Sequence, residues 1–172
     1  MASILKVNTI QDATNSTTAQ TIDTSGRIAY PAQPRFLCRL ASNSTISSGY
    51  DADFSVNNAS WNVVFNIGNM FSSGTVTFPT DGVYHIHFQM YANPTSSGGG
   101  EYIGGSMNGS AVTETYGTND LYVFRARNND SGYTHSALFN ATAGKSLQFG
   151  TYHAAGATYR GNHTFIWGYK LG

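Results

Sequence analysis

The stretch TVTFPTDGVYHIHFQMY, residues Thr75 to Tyr91, decides the fold. A short strand enters a Pro-Thr-Asp-Gly turn, in which Pro79 presets one backbone angle and Gly82 can adopt a positive φ. The strand that leaves the turn alternates strictly in side-chain type. Because successive side chains on a strand point to opposite faces, this alternation predicts the centre of an antiparallel sandwich. One face carries Tyr84, Ile86, Phe88 and Met90, and the other carries Val83, His85, His87, Gln89 and Tyr91.

From Arg35 onward the chain keeps this character. Short β-prone runs alternate with clusters of Asn, Ser, Gly and Pro that are typical of turns. No window carries a helical stripe, and no internal repeat is evident. About ten short strands at regular spacing predict an all-β sandwich or barrel. The predicted strands are Arg35–Ala41, Trp61–Phe65, Thr75–Phe78, Val83–Tyr91, Glu101–Met107, Ala111–Tyr116, Leu121–Ala126, Thr134–Phe139, Leu147–Tyr152 and Thr164–Leu171.

Composition limits the classes of function. The 172 residues are 40% hydrophobic but only 10% charged, and nine basic residues balance nine acidic ones. No global field therefore steers the chain to nucleic acid or to an anionic membrane. A single cysteine, Cys38, excludes an intrachain disulfide and is expected to be a small buried hydrophobe. No apolar run has the length of a membrane span, and the first ten residues lack the features of a signal peptide, so synthesis in a cytoplasm is expected.

The N-terminal segment differs from the rest. Residues 1–29 contain no aromatic residue, and they offer only two weak strands, Ile4–Ile10 and Ala19–Asp23. Such a segment cannot bury enough surface to fold alone, so we expect a partner or neighbouring copies to order it. Pro31 and Pro34 then form an extended hinge. The chain is therefore divided into an arm, residues 1–30, and a head, residues 31–172. The candidate anchoring side chains of the arm are Ile4, Leu5, Val7, Ile10 and Ile22.

The head resembles a known family. Its motifs are a Pro-aromatic first strand at Pro34–Cys38, the block Gly74–Tyr84 with Phe78-Pro79 and Gly82-Val83-Tyr84, the Asn108-Gly109 hairpin, and the last strand Thr164–Leu171. Through these motifs, residues 34–172 resemble the globular head of complement C1q and its relatives, the C1q/TNF-like jelly rolls. The family's usual Gly-Asp at one turn is Gly144-Lys145 here.

That resemblance implies an antiparallel jelly-roll sandwich and a homotrimer. In the family, three heads pack around a threefold axis through apolar and aromatic side chains. Both faces of the strands Val83–Tyr91 and Thr164–Leu171 carry bulky groups, which favours one face in the core and one against a neighbour. The candidate trimer-interface residues are Phe36, His85, His87, Tyr91, Phe165, Trp167 and Tyr169.

The arm has a resemblance of its own. The segments Ala2–Asp12 and Thr21–Ile28 are similar to N-terminal segments of tail-fibre and other virion proteins of marine bacteriophages. This likeness implies a virion structural protein on the particle exterior. The favoured interpretation is a short tail-fibre or knob module that is attached to other virion proteins by its arm. A capsid decoration protein fits the same features, and a soluble glycan-binding lectin is the third alternative.

Catalytic and cofactor motifs are not found. His85 and His87 have a spacing that a metal site could use, and Asp51 and Asp53 could offer carboxylates to calcium, but neither pair has further ligands nearby in sequence. We therefore predict no metal and no cofactor. Gly144-Lys145-Ser146 resembles the end of a phosphate-binding loop, but the required upstream glycine is Phe139.

No nucleophile motif surrounds any serine, so no enzymatic activity is expected. Binding of a host-surface glycan or receptor remains an open prediction, because tyrosine rings in polar, Gly-rich loops can stack on sugars. The candidate residues for that role are Tyr102, Tyr133, Tyr152 and Tyr159.

Overall fold

The structure is a computed structural model that describes residues 7–11, 13–14, 18–46, 49–51, 60–94, 101–107, 120–126, 131–153 and 157–171. In this part of the chain the strands are β1 (Thr9–Gln11), β2 (Thr18–Ile22), β3 (Ile28–Ala29), β4 (Arg35–Leu40), β5 (Ser44–Ile46), β6 (Gly49–Asp51), β7 (Trp61–Ile67), β8 (Phe71–Ser72), β9 (Thr75–Thr77), β10 (Gly82–Pro94), β11 (Glu101–Met107), β12 (Asp120–Ala126), β13 (Ser131–Ala141), β14 (Ser146–His153), β15 (Ala157–Tyr159) and β16 (Phe165–Lys170). A single 3-10 turn, Gly161–His163, precedes β16. The described residues contain no helix with the length and apolar character needed to cross a membrane.

Two antiparallel sheets form the head. The first has the order β5-β15-β10-β16-β4-β7, with β13 on β10, and the second has the order β12-β11-β14-β9-β8, with β6 on β14. The first strand of the head, β4, pairs with the last, β16, and β16 pairs in turn with β10. Neighbours so distant in sequence are typical of a jelly roll, and the predicted all-β jelly-roll fold is confirmed.

Most predicted strands are present, with bounds that differ by a few residues. The prediction for residues 111–116 lies outside the described residues. Five strands of two or three residues were not predicted, namely β3, β5, β6, β8 and β15. A strand of two or three residues is too short to show the alternation of side chains by which a strand is recognised in a sequence. Such strands are identified only by their backbone hydrogen bonds to neighbouring strands.

The core lies between the two sheets and contains the apolar face predicted for β10. Tyr84, Ile86, Phe88 and Met90 are all buried. Phe36 from β4 stacks on Phe71 from the second sheet, with ring centroids 5.6 Å apart. Burial of each such side chain contributes about 1.5–3 kcal/mol relative to exposure. The remaining buried apolar residues include Cys38, Leu40, Met70, Val76, Phe78, Phe139, Leu147 and Ile166.

The turn before β10 is held by its own residues. Gly82 has a φ of 143°, so the predicted positive φ is confirmed. The buried Tyr84 hydroxyl donates to the Thr80 carbonyl oxygen at 2.8 Å. The Asp81 carboxylate accepts from the backbone N–H of Ala143 at 2.7 Å, which ties this turn to the one before β14.

The described part of the arm pairs with itself. β1, β2 and β3 form a three-stranded antiparallel sheet in which β2 is central. The turn between β2 and β3 is closed by the Asp23 carboxylate, which accepts from the backbone N–H of Ser25 and of Arg27, each at 2.9 Å. In the described part of the arm, the strand partners come from the same chain.

The hinge between arm and head is tied to the end of the chain. The Gln33 side-chain amide donates to the Lys170 carbonyl oxygen, and the Lys170 backbone N–H donates to the Pro34 carbonyl oxygen at 2.9 Å. The Arg35 guanidinium donates to the Tyr30 carbonyl oxygen at 3.0 Å. These bonds fix the start of β4 beside the end of β16.

Candidate functional site

The solvent side of the first sheet carries most of the predicted interface residues. Five strands lie side by side there in the order β13-β10-β16-β4-β7, and residues paired across strands point to the same face. We call this surface the outer face. Its central row is Ser136, His87, Trp167, Leu37 and Phe65. The adjacent row is Leu138, His85, Tyr169, Arg35 and Ile67.

Trp167 is the centre of an aromatic cluster on the outer face. Its ring stacks on His87, with centroids 4.8 Å apart and planes at 18°, and it lies parallel to Tyr169 at 6.2 Å. His85 meets the Trp167 ring edge-on at 5.2 Å. Offset-stacked and edge-to-face pairs are the favoured aromatic arrangements, and the cluster contains both.

This surface is apolar although it is uncovered. Phe65 is 40% exposed and Leu138 is 61% exposed, and Tyr169 is also exposed. A sheet that faces water on one side usually alternates apolar-in and polar-out residues. β10 and β16 instead present large rings on both sides, because their outer positions hold histidine, tyrosine, phenylalanine and tryptophan.

A groove crosses the outer face near its β7 edge. It has a volume of about 340 Å³. Leu37 and Trp167 lie in the central row, and Arg35 and Tyr169 lie in the next, so the groove runs across β16, β4 and β7. The residues that line it are Arg35, Phe36, Leu37, Phe65, Trp167, Gly168 and Tyr169.

Two histidines set the electrostatics of the outer face. Burial lowers the pKa of His87, and the neighbouring His85 lowers it further, because two imidazolium charges would repel. The His87 Nδ1 atom lies 2.6 Å from the Ser136 hydroxyl, and the buried His85 Nδ1 atom has no hydrogen-bond partner. The outer face therefore carries a neutral His87 near neutral pH. Among the described residues, no three His, Cys, Asp or Glu side chains cluster as metal ligands would.

Cys38 lies on the opposite side of β4 from this surface. Its side chain is fully buried, and burial raises the pKa of the thiol to about 12. A thiol with so high a pKa forms little thiolate and is unreactive at neutral pH. The expected role of Cys38 as a buried hydrophobe is confirmed.

The structure corrects one interface prediction. Phe36 is 1% exposed and points into the core, because β4 alternates and Phe36 shares the inward side with Cys38 and Leu40. Phe36 lines the groove only from the core side of the sheet. The outward residue is its neighbour Leu37.

The other predicted interface residues lie on the outer face. Trp167 is in ring contact with His85, His87 and Tyr169, and His85 also contacts Tyr169. Phe165 lies on the same side of β16 as Trp167. It is paired with Gln89 on β10 and with Arg39 on β4. Tyr91 lies further along β10, where the Arg160 guanidinium sits 5.5 Å from the centre of its ring.

Three outer-face residues were missed by the sequence analysis, namely Leu37, Phe65 and Leu138. The signal for Leu37 was present, because a buried Phe36 implies an outward Leu37 by strand alternation. Phe65 and Leu138 depend on which strands flank β4 and β10, and this pairing has no local signature.

Of the predicted tyrosine site, only Tyr159 has a described side chain. Tyr159 is a correction, because it is 1% exposed and buried in the core on β15, so it cannot stack on a sugar. Tyr102 and Tyr152 lie in β11 and β14, within the predicted strands, and Tyr133 lies in β13. The side chains of these three tyrosines lie outside the described residues. Of the suggested calcium carboxylates, Asp51 lies in β6 and Asp53 lies outside the described residues.

The arm presents an apolar face of its own. The pairings Ile10 with Gln20 and Ile22 with Ile28 put these four side chains on one face of the small sheet. Ile10 is exposed and Ile28 is 53% exposed, while the opposite face carries Thr9, Thr21 and Ala29. Val7 is also exposed, and the predicted anchors Ile4 and Leu5 lie outside the described residues.

No protein-family model and no curated protein sequence matches this chain. Solved structures do, and they define its class as a TNF/C1q-like jelly roll. Murine APRIL at pH 8.5 aligns with a TM-score of 0.56 at 14% identity, over 81% of this chain and 99% of that one. Eiger, a TNF from S. frugiperda, aligns with 0.55 at 16% identity, over 81% and 91%. The globular domain of zebrafish complement 1qA aligns with 0.51 at 13% identity, over 81% and 98%. At these identities the likeness establishes the fold alone.

Proposed function

We propose that this chain is a noncatalytic structural protein of a bacteriophage virion. Three copies associate through the outer face, and the N-terminal arm mounts the trimer on other virion proteins as a short tail-fibre or knob module. The observation that carries the proposal is the outer face itself, where Trp167, Tyr169, Phe65 and Leu138 form an apolar surface on a folded sheet. Large exposed apolar patches mark interaction sites in soluble proteins.

A second copy of the chain is the partner that best fits this surface. Aromatic residues are enriched and charges are depleted at the centre of protein interfaces. The outer face has that composition, since its two arginines, Arg35 and Arg39, lie on β4 and its central row carries no charge at neutral pH. The resemblance of the head to C1q/TNF-like jelly rolls adds the threefold symmetry, which is a closed arrangement common among homo-oligomers.

The virion assignment rests on the arm. Its sequence resembles the N-terminal segments of phage virion proteins, and its small sheet has one apolar face with exposed Ile10 and Ile28. A three-stranded sheet with an uncovered apolar face gains stability when another protein covers that face. Capsid decoration uses the same two surfaces and differs only in where the arm attaches. Glycan binding is not favoured, because Tyr159 is in the core.

The oligomeric state is the first test. Native mass spectrometry and light scattering of the purified full chain are expected to give a trimer that persists at micromolar concentration. A mass of one chain at that concentration would contradict the proposal.

Attachment of the arm to other virion proteins is tested on assembled particles. A label on this protein, imaged by electron microscopy, is expected at the tail, whereas a label spread over the capsid would support decoration. The variant Ile10→Ser/Ile28→Ser should reduce incorporation into particles. The matched control, Thr9→Ser/Ala29→Ser, changes the opposite face of the same strands and should incorporate normally. Particles that never carry the label would overturn the virion role.

A further inference from the structure

The outer face holds a protruding side chain at one edge and a groove near the other. Leu138 lies on β13, the edge strand, and at 61% it is the most exposed large apolar side chain among the described residues. Its cross-strand neighbour is His85, which leaves the outer side of Leu138 open. Covering a leucine in this position would contribute about 1.5–3 kcal/mol of favourable free energy relative to leaving it exposed.

The groove at the other edge matches such a side chain in size and chemistry. Leu37, Phe65 and Trp167 line it, and its volume is about 340 Å³. A cavity of roughly 150 Å³ lined by Leu, Ile and Phe can hold benzene, so this groove has room for a leucine and part of a neighbouring side chain. Arg35 also lines the groove, and its guanidinium donates a hydrogen bond to the Tyr30 carbonyl oxygen.

Leu138 cannot fill the groove of its own chain. β10 separates β13 from β16, where the groove begins, so two strand spacings, or about 10 Å, lie between the leucine and the near side of the groove. A knob at one edge and a hole near the other edge of the same face are the elements of a head-to-tail contact, which closes into a ring when the rotation between copies is right.

We infer that Leu138 of one copy inserts into the Leu37/Phe65/Trp167 groove of the next copy, and that three such contacts close the trimer. This inference rests on the proposed self-association and adds to it the direction and the anchoring residue of the contact. Each copy gives its β13 edge to one neighbour and receives the other neighbour on β16, β4 and β7. The groove side of the contact is apolar apart from Arg35.

The first experiment is disulfide trapping in the full-length protein. The double variant Leu138→Cys/Phe65→Cys places one thiol on the knob and one on the rim of the groove. Mild oxidation is expected to give a covalent trimer on a non-reducing gel, because every copy bonds to two neighbours. The buried Cys38 is present in all variants and does not contribute. Leu138→Cys alone and Phe65→Cys alone should stay unlinked. Thr77→Cys/Phe65→Cys, with one thiol on the second sheet, is the matched control and should also stay unlinked.

The second experiment measures association. Leu138→Asp should weaken the trimer by about 30-fold or more, since it buries an unpaired carboxylate in an apolar groove. Thr77→Asp adds the same charge at an exposed position of the second sheet and should leave the association within about threefold. Circular dichroism checks that both variants fold, which is expected because neither wild-type side chain is in the core.

The outcomes separate the inference from the proposed function. A native trimer in which the double cysteine variant does not crosslink, or in which Leu138→Asp associates normally, overturns the inference and leaves the trimer intact. A covalent product that stops at the dimer overturns the ring, because it indicates a twofold contact. A monomeric wild-type protein overturns both.

Discussion

The two sides of the first sheet are built from the same strands and have different surroundings. On the inward side, Phe36, Ile86 and Ile166 pack against the second sheet and are almost fully buried. On the outward side, Leu37, His87 and Trp167 have comparable bulk, but no part of the described chain covers them. The inward side explains why the chain folds, and the outward side is the surface through which we propose that copies associate.

The largest effect is expected from a pair of adjacent substitutions on β4. Phe36→Ala should lower the free energy of unfolding by about 3–5 kcal/mol, because it leaves a cavity beside Phe71 in the core. Leu37→Ala should change the fold of one copy much less but should weaken association. Urea denaturation and native mass spectrometry of both variants measure the two effects. Equal loss of stability in the two variants would contradict the distinction between the two sides.

The second largest effect is expected for Trp167→Ala. Tryptophan at the centre of an interface commonly contributes about 2 kcal/mol or more to binding, and Trp167 contacts His85, His87 and Tyr169. We expect the trimer to dissociate at concentrations at which the wild type is intact, as measured by analytical ultracentrifugation. Phe165→Ala, on the same strand and face but outside this cluster, is the control and should have a smaller effect. Trimer stability that is unchanged in Trp167→Ala would show that the outer face is not the contact.

Acid should destabilise the outer side selectively. The pKa of His87 is lowered from 6.5 by burial and by His85. Between the lowered pKa and about 6.5 the unfolded chain binds more protons than the folded one, so the stability from this group is complete above about pH 6.5 and is lost as the pH falls through that window. His87→Gln should therefore lose less thermal stability than the wild type between about pH 7 and pH 5. Parallel pH profiles of the two proteins would contradict this.

The smallest effect compares a turn of the head with a turn of the arm. Gly144 and Gly26 have φ values of 81° and 77°, and each has open space where a Cβ would lie. Alanine at either site is strained by about 1 kcal/mol, because L-residues disfavour the left-handed region. Gly144→Ala should lower the melting temperature of the head by a few degrees. Gly26→Ala should leave that melting temperature unchanged, since its strain is confined to the arm sheet, and an equal shift would indicate that arm and head unfold together.

The sequence predicts the fold well because the strongest signals are local. The alternation of Tyr84 to Met90 and the positive φ of Gly82 are properties of one segment and its turn, and both are present in the structure. The composition of the outer face could also be predicted, since His85, His87 and Trp167 alternate with buried residues on their strands.

Other features depend on strand order and could not be read from single segments. Leu37 and Phe65 become neighbours because β7 pairs with β4, and Leu138 meets His85 because β13 pairs with β10. Tyr159 was assigned to a loop, but β15 extends the first sheet beside β10 and turns its ring inward. These residues are positioned by hydrogen bonds between segments that are far apart in sequence, and no local pattern encodes such pairing.

The pairing of β16 with both β4 and β10 has a consequence for synthesis. β16 is a central strand of the sheet, so the segments made before it lack their middle partner until β16 has left the ribosome. Until then the nascent chain exposes unpaired strand edges and core side chains. The outer face forms only when β16 joins β4 and β10, because it spans all three strands.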